Sequence, residues 1–243
     1  MREEGKDMDG TASVAGKTIF VTGTDTDVGK TLICGLLLAA AVRCCRAGYQ
    51  KWVSTGNCDI PDDWRFCREA AGLPLDRQRL DLEVPFRFAF PASPHLAAEV
   101  DGRAAVDPEL LVRRHQELAA AHDLLIVEGV GGLLVPLRRD LLLADLLARF
   151  RFPTLVVARS GLGTLNHTLL TLEALRNRRI PVLGVVCSDG PGDPGDERLI
   201  ADNLRTIAEV GRCEVFGRLR RCSSPAEAGE FFAPMAAAIL AAL

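Results

Sequence analysis

The 243-residue sequence predicts an α/β fold in which helices cover both faces of a doubly wound, mostly parallel sheet. Short apolar runs alternate with segments of helical periodicity, which indicates repeated strand–helix units. Several of these runs are unbroken leucine, isoleucine and valine, as in strands that are buried on both faces. No repeat or low-complexity linker interrupts residues 16–243, so we expect a single domain there, preceded by a polar, flexible tail at residues 1–15.

The predicted elements follow one another in a regular order. Strands are predicted at residues 17–22, 49–53, 124–128, 154–158, 182–187 and 213–216. Helices are predicted near residues 29–46, 62–71, 108–121, 140–149, 164–178, 194–209 and 225–242. Asp107 and Pro108 mark one helix start, because aspartate is a good N-cap and proline is favoured at the first helical position. Since ligands of such sheets bind at the carboxyl ends of the strands, the segments after the strands are the candidate site.

Composition argues against several classes of protein. The 29 basic residues are balanced by 32 acidic ones, a formal net charge of −3, which disfavours nucleic acid as a partner. No apolar run approaches the roughly 18 residues of a membrane span, and the polar N-terminal residues do not resemble a signal peptide. The eight cysteines include no CxxC pair, so neither a zinc site nor a redox motif is predicted. We expect a reduced, cytoplasmic protein without membrane or nucleic-acid partners.

The segment GTDTDVGKT, at residues 23–31, predicts a phosphate-binding loop of the P-loop NTPase type. It lies between a predicted strand and a predicted helix, where backbone N–H groups and the helix N-terminus attract anions. In such a loop Lys30 would reach the outer phosphates and the Thr31 hydroxyl would hold magnesium. Two features are unusual: five residues rather than four separate the key glycines, and Asp25 and Asp27 put acids where phosphate would arrive. A plain strand–helix turn that carries GKT by chance is the alternative.

Two further segments carry charged residues near strand ends. Lys51 leaves the second predicted strand, where a buried lysine requires an anionic partner. A surface lysine at a frayed strand end is the alternative. Asp62 and Asp63 open a predicted helix, where they could either bind magnesium opposite the phosphates or cap the helix.

Glycine-rich segments follow two other strands. Glu128 ends the strand at 124–128, and three glycines follow it within four residues. This position is typical of the second magnesium-binding acid of phosphate-loop enzymes, with a structural glutamate as the alternative. Residues 159–167, RSGLGTLNH, place small residues at a helix start and predict a second anion site. His167 is either part of that site or a structural histidine.

Together these segments resemble the dethiobiotin synthetases, ATP-dependent ligases of biotin synthesis. The matching pieces, in family order over roughly residues 17–188, are VTGTDTDVGKT, YQKWVSTG, the Asp62–Asp63 pair, FPASPHLAAE, LIVEGVGG and GLGTLNHTLLT. The resemblance implies a doubly wound parallel sheet and a homodimer. It implies that 7,8-diaminononanoate, carbon dioxide and ATP form dethiobiotin, ADP and phosphate through a carbamate and a carbamic–phosphoric anhydride.

The resemblance also implies roles for individual residues. The catalytic residues would be Thr26, Lys30 and Lys51. The nucleotide would contact Asp25, Thr26, Asp27, Val28, Gly29, Lys30, Thr31, Leu32, Glu128, Gly129, Gly131, Ser188 and Asp189. The diamine would contact Asp27, Lys51, Thr55, Glu128, Gly163, Thr164, Leu165 and Asn166, the last four across the dimer interface. Magnesium would be bound by Thr31, Asp63 and Glu128.

The resemblance offers a reason for the acids in the phosphate loop. The diamine presents two amines to that loop, and a carboxylate at Asp25 or Asp27 would hold or orient an ammonium group. Asp27 occupies the position at which the family often has an acidic residue lining the amine site. An acid there repels phosphate unless a cation lies between them, so electrostatics favour this assignment.

Three segments depart from the family pattern. Trp52 follows Lys51 where the family has proline, whose fixed φ would constrain the lysine backbone. Ser188 stands near the position at which many family members have an asparagine that reads adenine, and serine cannot make the same paired amide contacts. Residues 216–221, FGRLRR, replace a glycine–x–isoleucine–proline stretch near the base. We therefore expect weaker selection of ATP over other nucleoside triphosphates.

Three other functions remain open at this stage. A switch ATPase of the chromosome- or septum-partitioning type is disfavoured by the near-neutral charge and by the lack of a basic face on the C-terminal helical segment. A relative that only binds nucleotide is disfavoured by the intact set Lys30, Thr31, Lys51, Asp63 and Glu128. An amide-forming ligase similar to the cobyrinate amidases is disfavoured because we expect no room for their extra glutaminase domain.

Overall fold

The computed structural model describes residues 17–57, 59–190 and 196–243, and within them strands and helices alternate. The strands are β1 (Lys17–Gly23), β2 (Ala47–Lys51), β3 (Val53–Thr55), β4 (Phe86–Phe88), β5 (Leu124–Gly132), β6 (Pro136–Arg138), β7 (Leu141–Leu142), β8 (Thr154–Arg159), β9 (Val182–Ser188) and β10 (Val215–Leu219). The helices are α1 (Lys30–Ala41), α2 (Asp62–Ala70), α3 (Leu80–Glu83), α4 (Pro94–Val100), α5 (Pro108–Ala120), α6 (Leu143–Phe150), α7 (Thr164–Asn177), α8 (Glu197–Gly211) and α9 (Pro225–Ala241). The tail predicted at residues 1–15 and the first two residues of the helix predicted at 194–209 lie outside the described ranges.

Six strands form the central sheet in the order β10-β9-β8-β1-β5-β2, and every pairing in it is parallel. β1 lies between β5 and β8, so the sheet grows from β1 in both directions. This is the doubly wound arrangement, which confirms the predicted fold class. The carboxyl ends of β2, β5 and β1 lie side by side, and the loops that follow them form the edge that carries the candidate site.

Helices cover both faces of the sheet because the strands are apolar on both faces. Ile19 and Val21 of β1 face one apolar core, which includes Leu37 of α1. Phe20, between them in sequence, faces the other core, which includes Leu118 of α5. The alternation of side chains along a strand thus divides a continuous apolar run between two cores.

The second predicted strand, at 49–53, is in fact two strands. β2 ends at Lys51, and β3 begins at Val53 and pairs with β4 in a separate two-stranded sheet. Trp52 between them is fully buried, with its ring centroid 4.8 Å from that of Phe20. Its backbone N–H still donates to the carbonyl oxygen of Glu128 at 3.2 Å, so the chain leaves the main sheet only after Trp52.

Other boundaries also differ from the sequence prediction. The helix predicted at 29–46 ends at Ala41, and turns follow it without a glycine or proline at that point to mark the stop. The helix predicted at 140–149 begins at Leu143, because the β6–β7 hairpin takes up the residues before it. The strand predicted at 213–216 begins at Val215 and extends to Leu219. The short elements α3, α4, β4, β6 and β7 were not predicted.

None of the helices in the described ranges has the length and apolar character needed to cross a membrane.

Candidate active site

The phosphate-binding loop connects β1 to α1, whose first residue is Lys30. Gly29 precedes the helix with φ +98°, a left-handed conformation that favours glycine. A Cβ atom at this position would also approach Ser188 Oγ to 2.8 Å, so both backbone and space require glycine. Lys30 is 6% exposed, and its Nζ donates to the carbonyl oxygen of Asp25 at 2.8 Å. The lysine therefore folds back over the loop that it closes.

Four side chains from four elements meet beside this loop. Lys51 ends β2 and lies opposite Glu128 in the β2–β5 register, with Nζ 2.5 Å from Glu128 Oε1. Asp63, in the first turn of α2, approaches the same ammonium with Oδ2 at 2.8 Å. Thr31 Oγ1 lies 2.9 Å from Asp63 Oδ1 and 2.8 Å from Glu128 Oε1. The sheet register and two helix starts thus bring together one ammonium, two carboxylates and one hydroxyl.

The charged groups of this cluster shift one another's pKa values. Burial lowers the pKa of Lys30, and the Lys51 ammonium lowers it further against the attraction of Glu128. Burial also acts to lower the pKa of Lys51, but Glu128 and Asp63 outweigh it, so this pKa lies above its usual value. For Asp63, burial acts to raise the pKa, but the charge of Lys51 and hydrogen bonds from Lys51 and Thr31 bring it below its usual value. Lys51 and Asp63 are therefore both charged at neutral pH.

A cleft of about 390 Å³ opens over the cluster. It is lined by Thr26, Asp27, Gly29, Lys30, Thr31, Lys51, Val53, Thr55, Asp63, Glu128, Val130 and Gly131. All of these except Val53 and Val130 were predicted site residues. The two valines follow Lys51 and Glu128 at alternate positions, and this strand alternation is the signal that could have identified them.

The two acids of the phosphate loop lie at different cavities. Asp27 has φ +55° and lines the main cleft. Asp25 lines a neighbouring cavity of about 460 Å³, and its Oδ1 accepts a hydrogen bond from the Thr26 N–H at 2.7 Å. Thr26 and Gly131 line both cavities, so these adjoin. Thr24 and Gly132 also line the second cavity, and the rest of its wall comes from the loop after β5 and from α7.

A third cavity, of about 270 Å³, is lined by Leu32, Ser188 and Asp189, three of the predicted nucleotide contacts. Phe66 and residues of the segment 220–228 complete its wall. The carboxylate of Asp189 accepts two hydrogen bonds from Arg218, both at 2.7 Å, and one from Ser160 Oγ at 2.5 Å. Burial acts to raise the pKa of Asp189, and these two partners lower it below its usual value. No spacing in the sequence relates Arg218 to Asp189.

Two predicted nucleotide contacts have their side-chain positions in the core. The side chain of Val28 is buried in the apolar core beneath α1. A Cβ atom on Gly129 would approach Phe20 Cζ to 3.1 Å and Leu143 Cδ2 to 3.2 Å. Core packing therefore explains why valine and glycine occupy these two positions. Only their backbone groups are available to contact a ligand.

The four residues predicted to contact the substrate carboxylate open α7 and are not among the residues lining the main cleft. They are Gly163, Thr164, Leu165 and Asn166. Gly163 has φ +90°, and the Thr164 hydroxyl donates to the carbonyl oxygen of Arg159 at 2.6 Å, which fixes the start of the helix. The adjacent Leu162 is 90% exposed, and His167 lines the neighbouring cavity.

Sequence reasoning missed Tyr49. Its hydroxyl donates to Glu128 Oε2 at 2.7 Å, from a fully enclosed position in β2. Its spacing of two residues from Lys51 in one strand was the available signal, since such residues share a face.

Within the described residues, no group of three or more His, Cys, Asp or Glu side chains could hold a metal. The predicted magnesium set contains two acids, with the Thr31 hydroxyl as its third member.

Comparison with known proteins places this geometry in a family context. A family model described as an AAA domain matches residues 17–224. The chain is 44% identical over 222 residues to the ATP-dependent dethiobiotin synthetase BioD of Rhizorhabdus wittichii, covering 91% of this chain and 95% of that protein. It is 45% identical over 201 residues to the protein of the same name from Rhodopseudomonas palustris, covering 83% of this chain and 84% of that one.

Solved structures share the fold at much lower identity. A ParA family ATPase from Chlorobium tepidum is 13% identical with a TM-score of 0.52, over 94% of this chain and 98% of that chain. The MinC:MinD cell division protein complex of Aquifex aeolicus contains a chain that is 12% identical with a TM-score of 0.56, over 93% of this chain and 96% of that one. At these identities the likeness shows the fold alone.

Proposed function

This chain belongs to the dethiobiotin synthetase family, and on that premise we propose that it converts 7,8-diaminononanoate, carbon dioxide and ATP to dethiobiotin, ADP and phosphate. The observation that supports this most strongly is the meeting of Lys30, Thr31, Lys51, Asp63 and Glu128 in one cleft at the carboxyl edge of the sheet. Phosphoryl transfer depends on placed cations and in-line geometry more than on covalent help from the protein. The cleft provides such cations, and its size suits a small-molecule site.

The proposed reaction has three steps. One amine of the substrate captures carbon dioxide and loses a proton, which gives a carbamate. A carbamate oxygen attacks the γ-phosphorus of ATP and displaces ADP, which gives a carbamic–phosphoric anhydride. The second amine attacks the carbonyl carbon and loses a proton, phosphate leaves with the oxygen that had joined carbon to phosphorus, and the ring closes.

Each residue of the cleft has a proposed role in these steps, which follows from its position. Lys30 binds the γ-phosphate, assisted by the backbone of the loop and by Thr26. Lys51 stabilises the negative charge of the carbamate and of the transferring phosphoryl group, and the Thr55 hydroxyl lies at the same cleft. Glu128 balances the charge of Lys51 when the cleft holds no substrate, since the two groups are 2.5 Å apart.

The donor set of Thr31, Asp63 and Glu128 fits magnesium. That ion prefers oxygen ligands and is usually held by one or two carboxylates together with substrate phosphates. The Lys51 ammonium already lies between the two carboxylates, so the position attracts a cation. When bound, magnesium would neutralise charge on the β- and γ-phosphates.

The acids of the phosphate loop are proposed to serve the diamine. Asp27 lines the main cleft and would orient an ammonium group there, while Asp25 lines the adjoining cavity. An anion in a phosphate loop is tolerable where it meets a cation of the substrate. On this proposal Asp27→Asn raises KM for the diamine by a larger factor than it changes KM for ATP.

We propose a cytoplasmic homodimer in which the start of α7 of the partner subunit completes the substrate site. This is supported by the position of Gly163 to Asn166 outside the cleft of their own chain. A helix start that exposes N–H groups suits the carboxylate end of the nine-carbon substrate.

We propose that the nucleotide site discriminates only weakly between bases. Ser188 lines the third cavity, and the carboxylate of Asp189 is engaged by Arg218 and Ser160. Neither side chain therefore offers the paired donor and acceptor of an amide to a base. We expect kcat/KM for ATP to exceed that for CTP by less than about a hundredfold, or about 2.7 kcal/mol. A larger preference would contradict this part of the proposal.

The direct test is an assay of the purified chain with diaminononanoate, bicarbonate and magnesium ATP, with mass spectrometry of the product. Dethiobiotin should form, and ADP should appear only when both the diamine and bicarbonate are present. A switch ATPase of the partitioning type would instead consume ATP without them and respond to DNA or lipid. ATP consumption that is indifferent to the diamine would therefore refute the proposed function.

A further inference from the structure

Tyr49 and Lys51 lie on the same face of β2, and both side chains reach Glu128 on the neighbouring strand β5. Tyr49 is 2% exposed, and its hydroxyl donates to Glu128 Oε2 at 2.7 Å. Lys51 and Thr31 contact the other oxygen, Oε1, at 2.5 and 2.8 Å. The two oxygens of one buried carboxylate therefore have different partners among the described residues.

This division matters because a glutamate carboxylate is otherwise free to turn. The last torsion of a glutamate side chain has a broad, roughly two-fold energy profile, so either oxygen could face the cleft. A hydroxyl held by a rigid ring in the apolar core fixes one oxygen and thereby the other. A phenol is also neutral, so it stabilises the carboxylate without adding a second positive charge that would repel a metal ion.

We propose that Tyr49 is a positioning residue for Glu128. By holding Oε2, it keeps Oε1 directed toward Thr31 and Lys51, at the place where the donor set fits magnesium. The inference rests on the nucleotide and magnesium part of the proposed function and is independent of the diamine. Its consequence is that deletion of one hydroxyl outside the cleft lining weakens metal binding inside the cleft.

The test compares Tyr49→Phe with wild type and with Thr154→Val. The second variant is a matched control, because it also deletes one buried hydroxyl, which donates to the Phe152 carbonyl at 2.9 Å at the start of β8.

Mn²⁺, which shares the oxygen-ligand preference of magnesium, is titrated into the enzyme–ADP complex and followed by electron paramagnetic resonance. Tyr49→Phe is expected to bind Mn²⁺ about tenfold more weakly, equivalent to about 1.4 kcal/mol. Thr154→Val should match wild type.

The kinetic behaviour provides a second readout. Turnover of Tyr49→Phe should fall at low magnesium and recover at excess magnesium, because the defect lies in presenting the carboxylate and not in the reacting groups. Equal Mn²⁺ affinity in Tyr49→Phe and wild type would overturn the inference, as would an equal loss in Thr154→Val.

A measurement that keeps the hydroxyl of Tyr49 covers the case in which Tyr49→Phe does not fold. The chain contains a single tyrosine, so biosynthetic incorporation of fluorotyrosine labels position 49 alone. The fluorine-19 resonance is expected to shift when magnesium is added to the ADP complex, and also in Glu128→Gln without metal. A resonance that responds to neither change would contradict the contact and the inference with it.

These outcomes separate the inference from the proposed function. If wild type makes no dethiobiotin but Tyr49→Phe loses Mn²⁺ affinity, the proposed function fails and the role of Tyr49 stands. If dethiobiotin forms and Mn²⁺ binding is insensitive to Tyr49→Phe, the proposed function stands and the inference fails.

Discussion

At the scale of the residue, Lys51 forms ion pairs with two carboxylates. Its ammonium is enclosed between Glu128 and Asp63, at 2.5 and 2.8 Å. Removal of one partner from a buried ion pair typically costs about 3–5 kcal/mol, because the remaining charge is left without compensation. The cleft is therefore built to contain a positive charge, which either the lysine or a metal ion can provide.

Substitution of Lys51 tests its proposed share in catalysis. Lys51→Gln should lower kcat by at least about a hundredfold at saturating magnesium, because a placed donor to developing negative charge is worth about 10²–10³ in rate. Affinity for ADP should change little, since Lys30 and the backbone of the loop are unaltered. Stopped-flow turnover and calorimetric ADP titration measure the two quantities.

The control for this substitution is Arg46→Gln. Arg46 forms an exposed ion pair with Asp123 at 2.7 Å, just before β2 and away from the cleft. Such pairs contribute about 0–1 kcal/mol, so this variant should retain its activity. Full turnover by Lys51→Gln would remove Lys51 from the mechanism.

At the scale of the element, the end of β2 decides where Lys51 points. Trp52 packs against Phe20 and Phe150, with ring centroids 4.8 and 5.3 Å away. Its backbone N–H bonds to the Glu128 carbonyl at 3.2 Å, while its buried Nε1 has no hydrogen-bond partner among the described residues. Packing and one backbone bond thus hold the strand end where the family resemblance led us to expect a proline.

Three substitutions of Trp52 separate these contributions. Trp52→Ala should destabilise the protein by about 3–5 kcal/mol through the cavity that it leaves. Trp52→Phe should cost less than about 2 kcal/mol, because the indole N–H loses no partner. Trp52→Pro should cost at least as much as alanine, since proline also removes the N–H that bonds to Glu128. Urea denaturation measures all three, with the exposed Phe231→Ala as the control.

A Trp52→Pro variant as stable as wild type would show that the proline of the family pattern and this tryptophan are interchangeable. The packing account of the strand end would then be wrong.

The central strands and the phosphate loop could be predicted because their signals are local. Apolar runs such as the one around Ile19 and Val21 mark buried strands, and the glycines and Lys30 mark the loop. The split at Trp52 was not predicted, because it depends on the pairing of two three-residue strands, β3 and β4, that lie far apart in the sequence. The contact from Tyr49 to Glu128 likewise depends on strand register, which joins residues 79 positions apart.

At the scale of the whole molecule, the proposed dimer accounts for exposed apolar side chains just before α7, along it, and in the loop after β5. Leu162 is 90% exposed, and Leu134 and Leu170, which line the same neighbouring cavity, are also exposed. Exposed apolar groups of this kind commonly mark interfaces between proteins.

Leu162→Asp tests the dimer and its functional role together. A charge at the interface should weaken dimerisation about tenfold or more by sedimentation equilibrium, and KM for the diamine should rise with it. Val210→Asp, on an exposed part of α8, is the control and should leave both quantities unchanged. A wild-type chain that is a fully active monomer would contradict the dimer proposal.

Stability of the whole fold should depend on pH through His115. Burial lowers the pKa of this histidine from 6.5 to about 4. A group whose pKa is depressed in the folded state binds its proton more readily when unfolded. The contribution of His115 to stability is therefore fully present above pH 6.5 and is lost as the pH falls toward 4, by about 3 kcal/mol in total.

Urea denaturation at pH 7.0 and pH 4.5 measures this loss in wild type and in His115→Gln. The variant should lose less stability between the two pH values, because one titrating group is absent, whatever its stability at pH 7.0. Equal losses in the two proteins would show that His115 does not carry this part of the pH dependence.

The fate of oxygen from bicarbonate tests the proposed chemistry of the cleft most directly. Bicarbonate labelled with oxygen-18 is supplied with the diamine and magnesium ATP, and the reaction is stopped before the bicarbonate exchanges its label with water. The mass of the released phosphate is then measured by mass spectrometry. Phosphate should carry labelled oxygen, because the carbamate oxygen that attacks the γ-phosphorus leaves with it when the ring closes. Unlabelled phosphate, released equally fast without the diamine, would mean that water is the nucleophile, and it would contradict the account.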